Sequence, residues 1–372
     1  EQLPDEERRG NWLEEISEQV REFLPDDCLF VRYDLCWESP WAREDDFFDA
    51  GGRWLGPPNA HIQELRDTCG TVRGFGTCVF RKVFINGSVK TIGYLHNLRL
   101  EKDYRDGYSL ALGYKKFRET SDSHDAFCYL TSILKSNKAA RRILTSLKGG
   151  LPSYIPLTDY RTFIIKSGVK KSKPGQYIKK YEDNYRDRLY EFITEYGSEH
   201  NFFPYLTKEE LFDSARMEIS RENLYFIERD NRIRALASLW DISRIKQLYI
   251  ASYSPMVKFI RPFHNLLSSL RKTPALPPVN KQLSYSYIFP LIIGNACKED
   301  TPNLIDALSE LSCKKGNEFF ITGCTPDTPL ESLLNTYPHI RMDSTIYAVD
   351  WHNELQISNL KSNPLHIEVG RL

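Results

Sequence analysis

The sequence lacks several patterns that would assign a function directly. It has no run of eighteen apolar residues and no charged–apolar–small pattern at its start, which is acidic. It also contains no Gly-x-Ser-x-Gly element, no Walker loop and no dinucleotide-binding fingerprint. We therefore expect a cytoplasmic protein with no membrane partner, whose function does not depend on any of these motifs.

Paired cysteines and a net charge are missing as well. The eight cysteines are scattered without a C-x-x-C pair, and His264, His339 and His352 lack metal-ligand spacing, so we predict no metal. Cys324 follows a strand pattern, and we interpret it as a packed thiol rather than a reactive one. The 50 basic and 50 acidic side chains cancel, so no global field attracts nucleic acid or anionic lipid.

Length and composition indicate a two-domain globular protein. The chain has 372 residues, of which 41% are apolar and 13% aromatic, enough for well-packed cores. We predict an N-terminal domain over 1–165, a linker over 166–176 and a C-terminal domain over 177–372. The linker is rich in lysine, glycine, serine and proline, which favours a solvated connection over a docking patch. Residues 38–70 show no legible pattern.

The clearest functional pattern is a strand, a short loop and a helix between residues 91 and 118. Residues 91–100 alternate apolar and polar side chains, 101–107 form a polar turn, and 108–118 carry apolar residues at helical spacing. Free backbone N–H groups and the positive end of a helix dipole converge where such a loop enters its helix, which favours phosphate binding. A strand at 126–133, a helix at 137–144 and a strand at 160–165 follow. Upstream, an Asn-Gly turn predicts a hairpin over 72–89.

The second half repeats this order of elements. A helix at 181–196 and a hairpin at 224–240 precede a strand at 285–293, a helix from 301, a strand at 318–322, a helix at 329–337 and a strand at 345–351. A further strand (246–253) and helix (259–270) intervene. No residue-level repeat is visible, so the order of elements alone predicts two similar units in tandem.

Two short stretches connect this organisation to a known family. Residues 98–107 (LRLEKDYRDG) are similar to the strand and V-x-P-x-Y-R-G-x-G loop of the GNAT superfamily of N-acyltransferases. Residues 131–142 (TSILKSNKAARR) contain the Asn-x-x-Ala that this family carries on its next helix. The resemblance implies an α/β fold with a mixed sheet, built from two GNAT-like units in tandem. It also implies that the first unit binds acetyl-CoA or another acyl-CoA, while the more degenerate second unit shapes the acceptor site.

The resemblance also implies which residues bind the cofactor. The end of the strand, the loop and the helix start would hold coenzyme A, largely through backbone N–H groups, and Asn137 and Arg141 would lie near its pantetheine arm. The strand and loop residues are Leu98, Arg99, Leu100, Arg105, Asp106, Gly107, Tyr108, Ser109 and Leu110. The family's glycine pattern is incomplete here, because Tyr108 and Leu110 stand at two of its glycine positions.

Acyl transfer to an amine requires a base for the amine and an acid for the departing thiolate. In the family the acid is a tyrosine after the Asn-bearing helix, which makes Tyr154 and Tyr160 the candidates. For the base we consider His96, whose imidazole has an ordinary pKa near neutrality, and Glu101, where the family often places an acid.

Three functions fit the sequence. The first is a coenzyme A-dependent N-acyltransferase, probed most simply with acetyl-CoA, that acts on a small-molecule or amino-acid-like amine. The second is a Fem-type transferase that uses aminoacyl-tRNA. Of the three functions, only this one requires a nucleic-acid partner. The third is a non-catalytic binding protein on a decayed GNAT fold. Calorimetry with acetyl-CoA separates the first from the third, and a tRNA titration isolates the second. The sequence does not define the oligomeric state.

Overall fold

The computed structural model describes most of the chain beyond residue 71. The described residues are 31–34, 60–66, 72–105, 107–122, 125–146, 151–170, 177–212, 221–241, 247–250, 252–253, 255–271, 275–294, 300–351, 355 and 357–371. The helix expected at 11–23 and most of the illegible stretch 38–70 lie outside them.

The strands and helices largely follow the sequence patterns. The strands are β1 (Val31–Asp34), β2 (Ala60–Arg66), β3 (Val72–Ile85), β4 (Ser88–Leu100), β5 (Cys128–Leu134), β6 (Ser153–Lys166), β7 (Ile178–Lys180), β8 (Leu224–Arg229), β9 (Arg232–Trp240), β10 (Gln247–Ile250), β11 (Tyr285–Ile293), β12 (Phe319–Cys324) and β13 (His339–Asp350). The helices are α1 (Gly107–Asp122), α2 (Lys138–Leu144), α3 (Arg186–Ser198), α4 (Lys208–Phe212), α5 (Pro255–Arg271), α6 (Thr301–Lys314), α7 (Pro329–Leu334) and α8 (Ile357–Leu360).

Over the described ranges, eleven of these strands form one mixed sheet. Their order is β2-β3-β4-β5-β13-β6-β12-β11-β9-β8-β7, while β1 and β10 pair separately. The β4–β5 and β11–β12 pairs are parallel, and the other neighbours in the sheet are antiparallel. The predicted hairpin turn is present, with left-handed φ angles of 51° at Asn86 and 77° at Gly87, as an Asn-Gly turn requires.

The same order of elements occurs twice along the chain. The first unit contains β3, β4, α1, β5, α2 and β6, and the second contains β9, β11, α6, β12, α7 and β13. The last strands are exchanged: β13 lies between β5 and β6, and β6 lies between β13 and β12. The central β6–β13 pair, from Ser153 opposite Asp350 to Ile165 opposite His339, therefore joins the two units through backbone hydrogen bonds.

Each face of the sheet carries its own core. Helix α1 covers one face of the first unit, where Tyr114 and Phe117 pack on Tyr129 and Tyr154. The opposite face is covered by the segment around Phe202 and by the C-terminal residues 357–371. Gly93 allows β4 to lie close to β5, because a Cβ atom there would stand 2.3 Å from the ring of Tyr129. Within the part of the chain described, no helix is both long enough and apolar enough to cross a bilayer.

Candidate active site

The parallel strands of the first unit separate in the middle of the sheet. β4 and β5 are in register from Ile92 opposite Cys128 to Tyr94 opposite Leu130. Beyond that pair, β4 runs on to Leu100 alongside β3, while β5 runs on alongside β13. We call the opening between 95–100 and 131–134 the first wedge. The ladder between β4 and β5 ends there, and backbone N–H and C=O groups at such an opening are groups that can bind a ligand.

A β-bulge lies on the β4 edge of this wedge. Thr77 pairs with His96 and Phe75 with Arg99, so Asn97 and Leu98 together face a single residue of β3. Asn97 has a φ of 55°, a left-handed conformation that asparagine adopts more readily than most residues. A bulge redirects backbone groups away from the regular ladder. Here it lies three residues beyond the last β4–β5 pair, at the opening of the wedge.

A compact turn leads from the wedge into helix α1. The Glu101 N–H donates to the Arg73 carbonyl oxygen at 2.9 Å, and residues 102–104 form one 3-10 turn. The Arg105 Nε then donates to the Leu100 carbonyl oxygen at 2.9 Å. Helix α1 begins at Gly107 with no acidic residue in its first turn. The strand, turn and helix predicted from the sequence are therefore present, and the dipole of α1 favours negative charge near its start.

The structure places the predicted cofactor residues along one path. Leu98, Arg99 and Leu100 end β4, Arg105 closes the turn, and Gly107, Tyr108, Ser109 and Leu110 open α1. Ser109 and Leu110 are buried, so only their backbone groups are suited to bind a ligand at the helix start. Asp106, also predicted, lies outside the described residues.

The other two predicted cofactor residues follow β5. The Asn137 Oδ1 accepts a hydrogen bond from the Ala140 N–H at 3.0 Å and so caps helix α2. Arg141 lies one turn further along that helix and is half-buried. Both residues stand beyond the end of the strand that forms the second edge of the wedge.

The two candidate acids lie deeper than the sequence suggests. Tyr154 is buried beneath α1, where its hydroxyl is hydrogen-bonded to that of Tyr114. Tyr160 is fully buried on the opposite face and donates to the Ile367 carbonyl oxygen at 2.8 Å. Burial raises the pKa of both phenols well above the usual value. Since β13 separates β6 from β5, each tyrosine lies two strands, or about 10 Å, from the wedge edge.

The two candidate bases are placed differently. The Glu101 carboxylate forms an ion pair with Arg73 at 2.8 Å, which ties it to β3. His96 lies on β4 next to the bulge, and its ring stacks on Tyr94 with the centroids 5.5 Å apart. Side chains two residues apart on a strand share a face, so His96 and Tyr94 lie on the side covered by the C-terminal segment.

A cavity of about 30 Å³ lies on that same face, against the last β4–β5 pair. We call it the apex cavity. Its volume is enough for about two water molecules. It is lined by Arg81, Val83, Ile92, Tyr94, Leu130, Phe202, Pro204, Ile367, Glu368 and Arg371. The charged residues Arg81, Glu368 and Arg371 were missed from the sequence, since they come from β3 and from the last residues of the chain and carry no motif.

Glu368 links the apex cavity to the second unit. Its Oε1 accepts hydrogen bonds from the Leu291 N–H at 3.0 Å and from the His366 Nε2 at 2.9 Å. The other ring nitrogen of His366 lies 3.0 Å from the Tyr196 hydroxyl. In neutral His366, Nε2 donates to the carboxylate and Nδ1 accepts from the phenol. The buried carboxylate is therefore held by an amide and a histidine.

The second unit repeats the wedge and bulge but fills them with its own side chains. β11 and β12 are in register only from Tyr285 to Tyr287, as β4 and β5 are from Ile92 to Tyr94. The register of β11 against β9 shifts between Ile288 and Leu291. The bulge of β11 consists of Phe289 and Pro290, one position nearer the last parallel pair than Asn97 and Leu98 are in β4. The amide of Leu291, the next residue of β11, is the one that Glu368 holds.

The helix start of the second unit also has an internal carboxylate. Asp300 immediately precedes α6 and is buried. It forms an ion pair with Arg229 at 2.6 Å. This buried aspartate therefore contributes to the structure of the second unit.

Comparison with solved structures places this geometry among known folds. The chain aligns with Saccharomyces cerevisiae N-myristoyltransferase with bound myristoyl-CoA at a TM-score of 0.54 and 13% identity, covering 94% of this chain and 78% of that one. The chain is similar in fold to N-myristoyltransferase. Two further structures of that yeast enzyme agree: one, with myristoyl-CoA and inhibitors, has a TM-score of 0.54, 13% identity and coverage of 91% and 77%. The other, with myristoyl-CoA, has a TM-score of 0.51, 12% identity and coverage of 91% and 80%.

These neighbours confirm the predicted fold class. N-myristoyltransferase belongs to the GNAT superfamily and has a two-unit architecture, as predicted for this chain. No protein-family model and no curated protein matches the sequence. The likeness therefore establishes the fold, and the site residues must be argued from their own geometry.

Proposed function

We propose that this protein transfers an acyl group from an acyl-CoA to an amine, with the acyl-CoA held by the first unit. The observation that carries this proposal is the succession of the bulge at Asn97–Leu98, the compact turn over 102–104 and the start of α1 at Gly107. Such a succession offers amides for a carbonyl oxygen at one end and for a diphosphate at the other. The structural neighbours that bind myristoyl-CoA support an acyl-CoA as the donor.

The proposed chemistry uses the wedge as the reaction site. The amine nitrogen attacks the thioester carbonyl, whose oxygen becomes negatively charged in the tetrahedral intermediate. Amides redirected by the bulge at Asn97–Leu98 would stabilise that charge. The carbon–sulfur bond then breaks, the amide product forms, and the coenzyme A thiolate takes up a proton.

His96 is the residue we propose as proton acceptor for the amine. It adjoins the bulge and lies on the face of the sheet that holds the apex cavity, whereas Glu101 is tied to Arg73. An imidazole accepts the amine proton at neutral pH and can return it to the thiolate. Tyr154 and Tyr160 remain candidate acids, although both hydroxyls are engaged in the cores.

The donor chain length and the acceptor are to be decided by experiment. The sequence led us to expect acetyl-CoA and a small amine, while the yeast structures contain myristoyl-CoA. Calorimetry should compare coenzyme A, acetyl-CoA and myristoyl-CoA. A thiol-release assay should then test transfer to amino acids, polyamines and peptides with a free amino terminus.

The expected result is saturable binding of at least one acyl-CoA, with thiol release that depends on an amine. Arg229→Ala serves as the matched control, because Arg229 occupies the helix start of the second unit and should not affect acyl-CoA binding. Binding without amine-dependent thiol release would support a non-catalytic binding protein. Absence of binding to all three compounds would refute the proposal.

A further inference from the structure

Helix α5 presents an apolar stripe to solvent. Its four most exposed apolar side chains are 61% to 75% accessible to solvent, far more than residues of this type in a core. In a helix of 3.6 residues per turn, the exposed apolar positions fall within about 120° of the circumference. They are Met256, Phe259, Ile260, Phe263, Leu266 and Leu267.

Polar contacts on the other side of the helix fix this orientation. The Arg261 Nε donates to the Leu276 carbonyl oxygen at 3.1 Å. The Asn265 amide both donates to that oxygen, at 2.9 Å, and accepts from the Leu276 N–H, at 2.8 Å. Arg261 also lies over the ring of Tyr253, at 5.7 Å from its centroid. The helix is therefore anchored by its polar face, which leaves the apolar face outward.

The chain segment that contains this helix is positively charged. Residues 242–298 contain eight lysines and arginines and no aspartate or glutamate, in a chain whose total charge is zero. Lys258 lies on α5 itself and is exposed, on the side of the helix that also carries Arg261 and Asn265. Of these cations, Lys281 is ion-paired with Glu318 at 2.6 Å. An exposed apolar stripe on a positively charged segment complements a bilayer surface, which is apolar inside and anionic outside.

We propose that α5 docks this protein on the surface of an anionic lipid bilayer. The stripe enters the boundary between headgroups and acyl chains, and the surrounding cations bind acidic headgroups. The helix has 17 residues, fewer than the about 20 that span a bilayer, so it lies in the plane of the surface. This membrane partner departs from the sequence-based expectation and is independent of the proposed acyl transfer.

Vesicle flotation tests the apolar part of this proposal. The full chain should bind vesicles containing roughly one-third phosphatidylserine and bind phosphatidylcholine vesicles much less. The double substitution Phe259→Ser/Phe263→Ser should weaken binding to the anionic vesicles at least about tenfold. Phe127→Ser is the matched control, because Phe127 is an exposed aromatic residue on another part of the surface. Both variants alter exposed side chains, and circular dichroism should show unchanged secondary structure.

A charge reversal tests the electrostatic part. Lys258→Glu should weaken binding to anionic vesicles about fivefold or more and leave weak binding to neutral vesicles unchanged. Lys361→Glu, at an exposed site in the C-terminal segment, should have little effect. Sedimentation velocity without lipid tests whether the stripe instead binds a second copy of the chain. A dimer that Phe259→Ser/Phe263→Ser dissociates would show that it does. That outcome, or equal flotation of all variants, would overturn the proposal.

Discussion

The two wedges share one backbone device and differ in what occupies it. In the first unit the wedge beyond the Ile92–Tyr94 pairs contains the bulge at Asn97–Leu98, and a small cavity lies against the last of these pairs. In the second unit the amide of Leu291, which lies directly beyond the β11 bulge, is hydrogen-bonded to the buried carboxylate of Glu368. In the second unit an amide beside the bulge therefore contributes to stability, whereas we propose that the amides at the bulge of the first unit bind the ligand.

The two units differ most clearly at the residue two positions beyond the last pair of residues in the parallel strands. It is His96 in the first unit and Phe289 in the second. His96→Ala should lower kcat at least about 100-fold, because a positioned base contributes that much, and should change the KM for acyl-CoA little. The pH–rate profile of the variant should also lose its acidic limb. If Glu101→Gln causes the larger loss of kcat, the base lies on the turn instead.

Substitution of Glu368 tests whether the polar contacts in the second wedge stabilise the fold. Glu368→Leu removes the acceptor of the buried Leu291 amide and of His366, which should lower the free energy of unfolding by about 2–3 kcal/mol. Urea unfolding followed by fluorescence measures this change. The matched control is Glu310→Gln, which breaks the exposed ion pairs with Lys170 and Lys314 and should cost at most about 1 kcal/mol. Equal shifts for both variants would contradict the assignment.

The hydroxyl pair beneath α1 predicts a loss of stability in alkali. Burial raises the pKa of Tyr114 from about 10 to about 12. The unfolded chain releases this proton near pH 10, so the contribution is complete below pH 10 and is lost as the pH rises toward 12, by about 2–3 kcal/mol. Tyr114→Phe should therefore flatten the decline in urea midpoint between about pH 10 and pH 12. An unchanged slope would mean that other groups cause the decline.

We expect the smallest effect from substituting the arginines near the starts of α1 and α6. Arg105 closes the turn before α1, and we expect Arg105→Ala to weaken coenzyme A binding about fivefold through the loss of a charge near the phosphates. Arg229→Ala, in the second unit, should leave that affinity unchanged because Arg229 is paired with Asp300. Calorimetry on both variants distinguishes the units. A larger loss for Arg229→Ala would move the cofactor to the second wedge.

Local elements were predictable from the sequence, whereas their partners were not. The Asn86-Gly87 turn and the strand from Tyr285 to Ile293 follow from short-range patterns and are present as expected. Strand β6 is longer than predicted, because it includes Pro156, which argues against a strand when its neighbours are unknown. Helix α5 begins earlier than predicted, since Pro255 fits the first helical position.

The exchange of final strands and the apex cavity depend on long-range pairing. Tyr154 pairs with Val349 and Tyr160 with Ser344, so the depth of both tyrosines is set by β13, almost two hundred residues away. Glu368 meets Leu291 only because the C-terminal segment folds across both units. The succession of β4, turn and α1 could be predicted from the sequence because these elements are contiguous in the chain.

The central claim is that an acyl-CoA binds in the first wedge. A crystal structure of the protein with a non-hydrolysable acyl-CoA analogue tests it most directly. We expect the diphosphate to bind at the amides between Arg105 and Leu110, and the carbonyl oxygen to bind at the bulge of Asn97 and Leu98. Density beside Leu291 and Asp300 in the second wedge, with the first wedge empty, would contradict it.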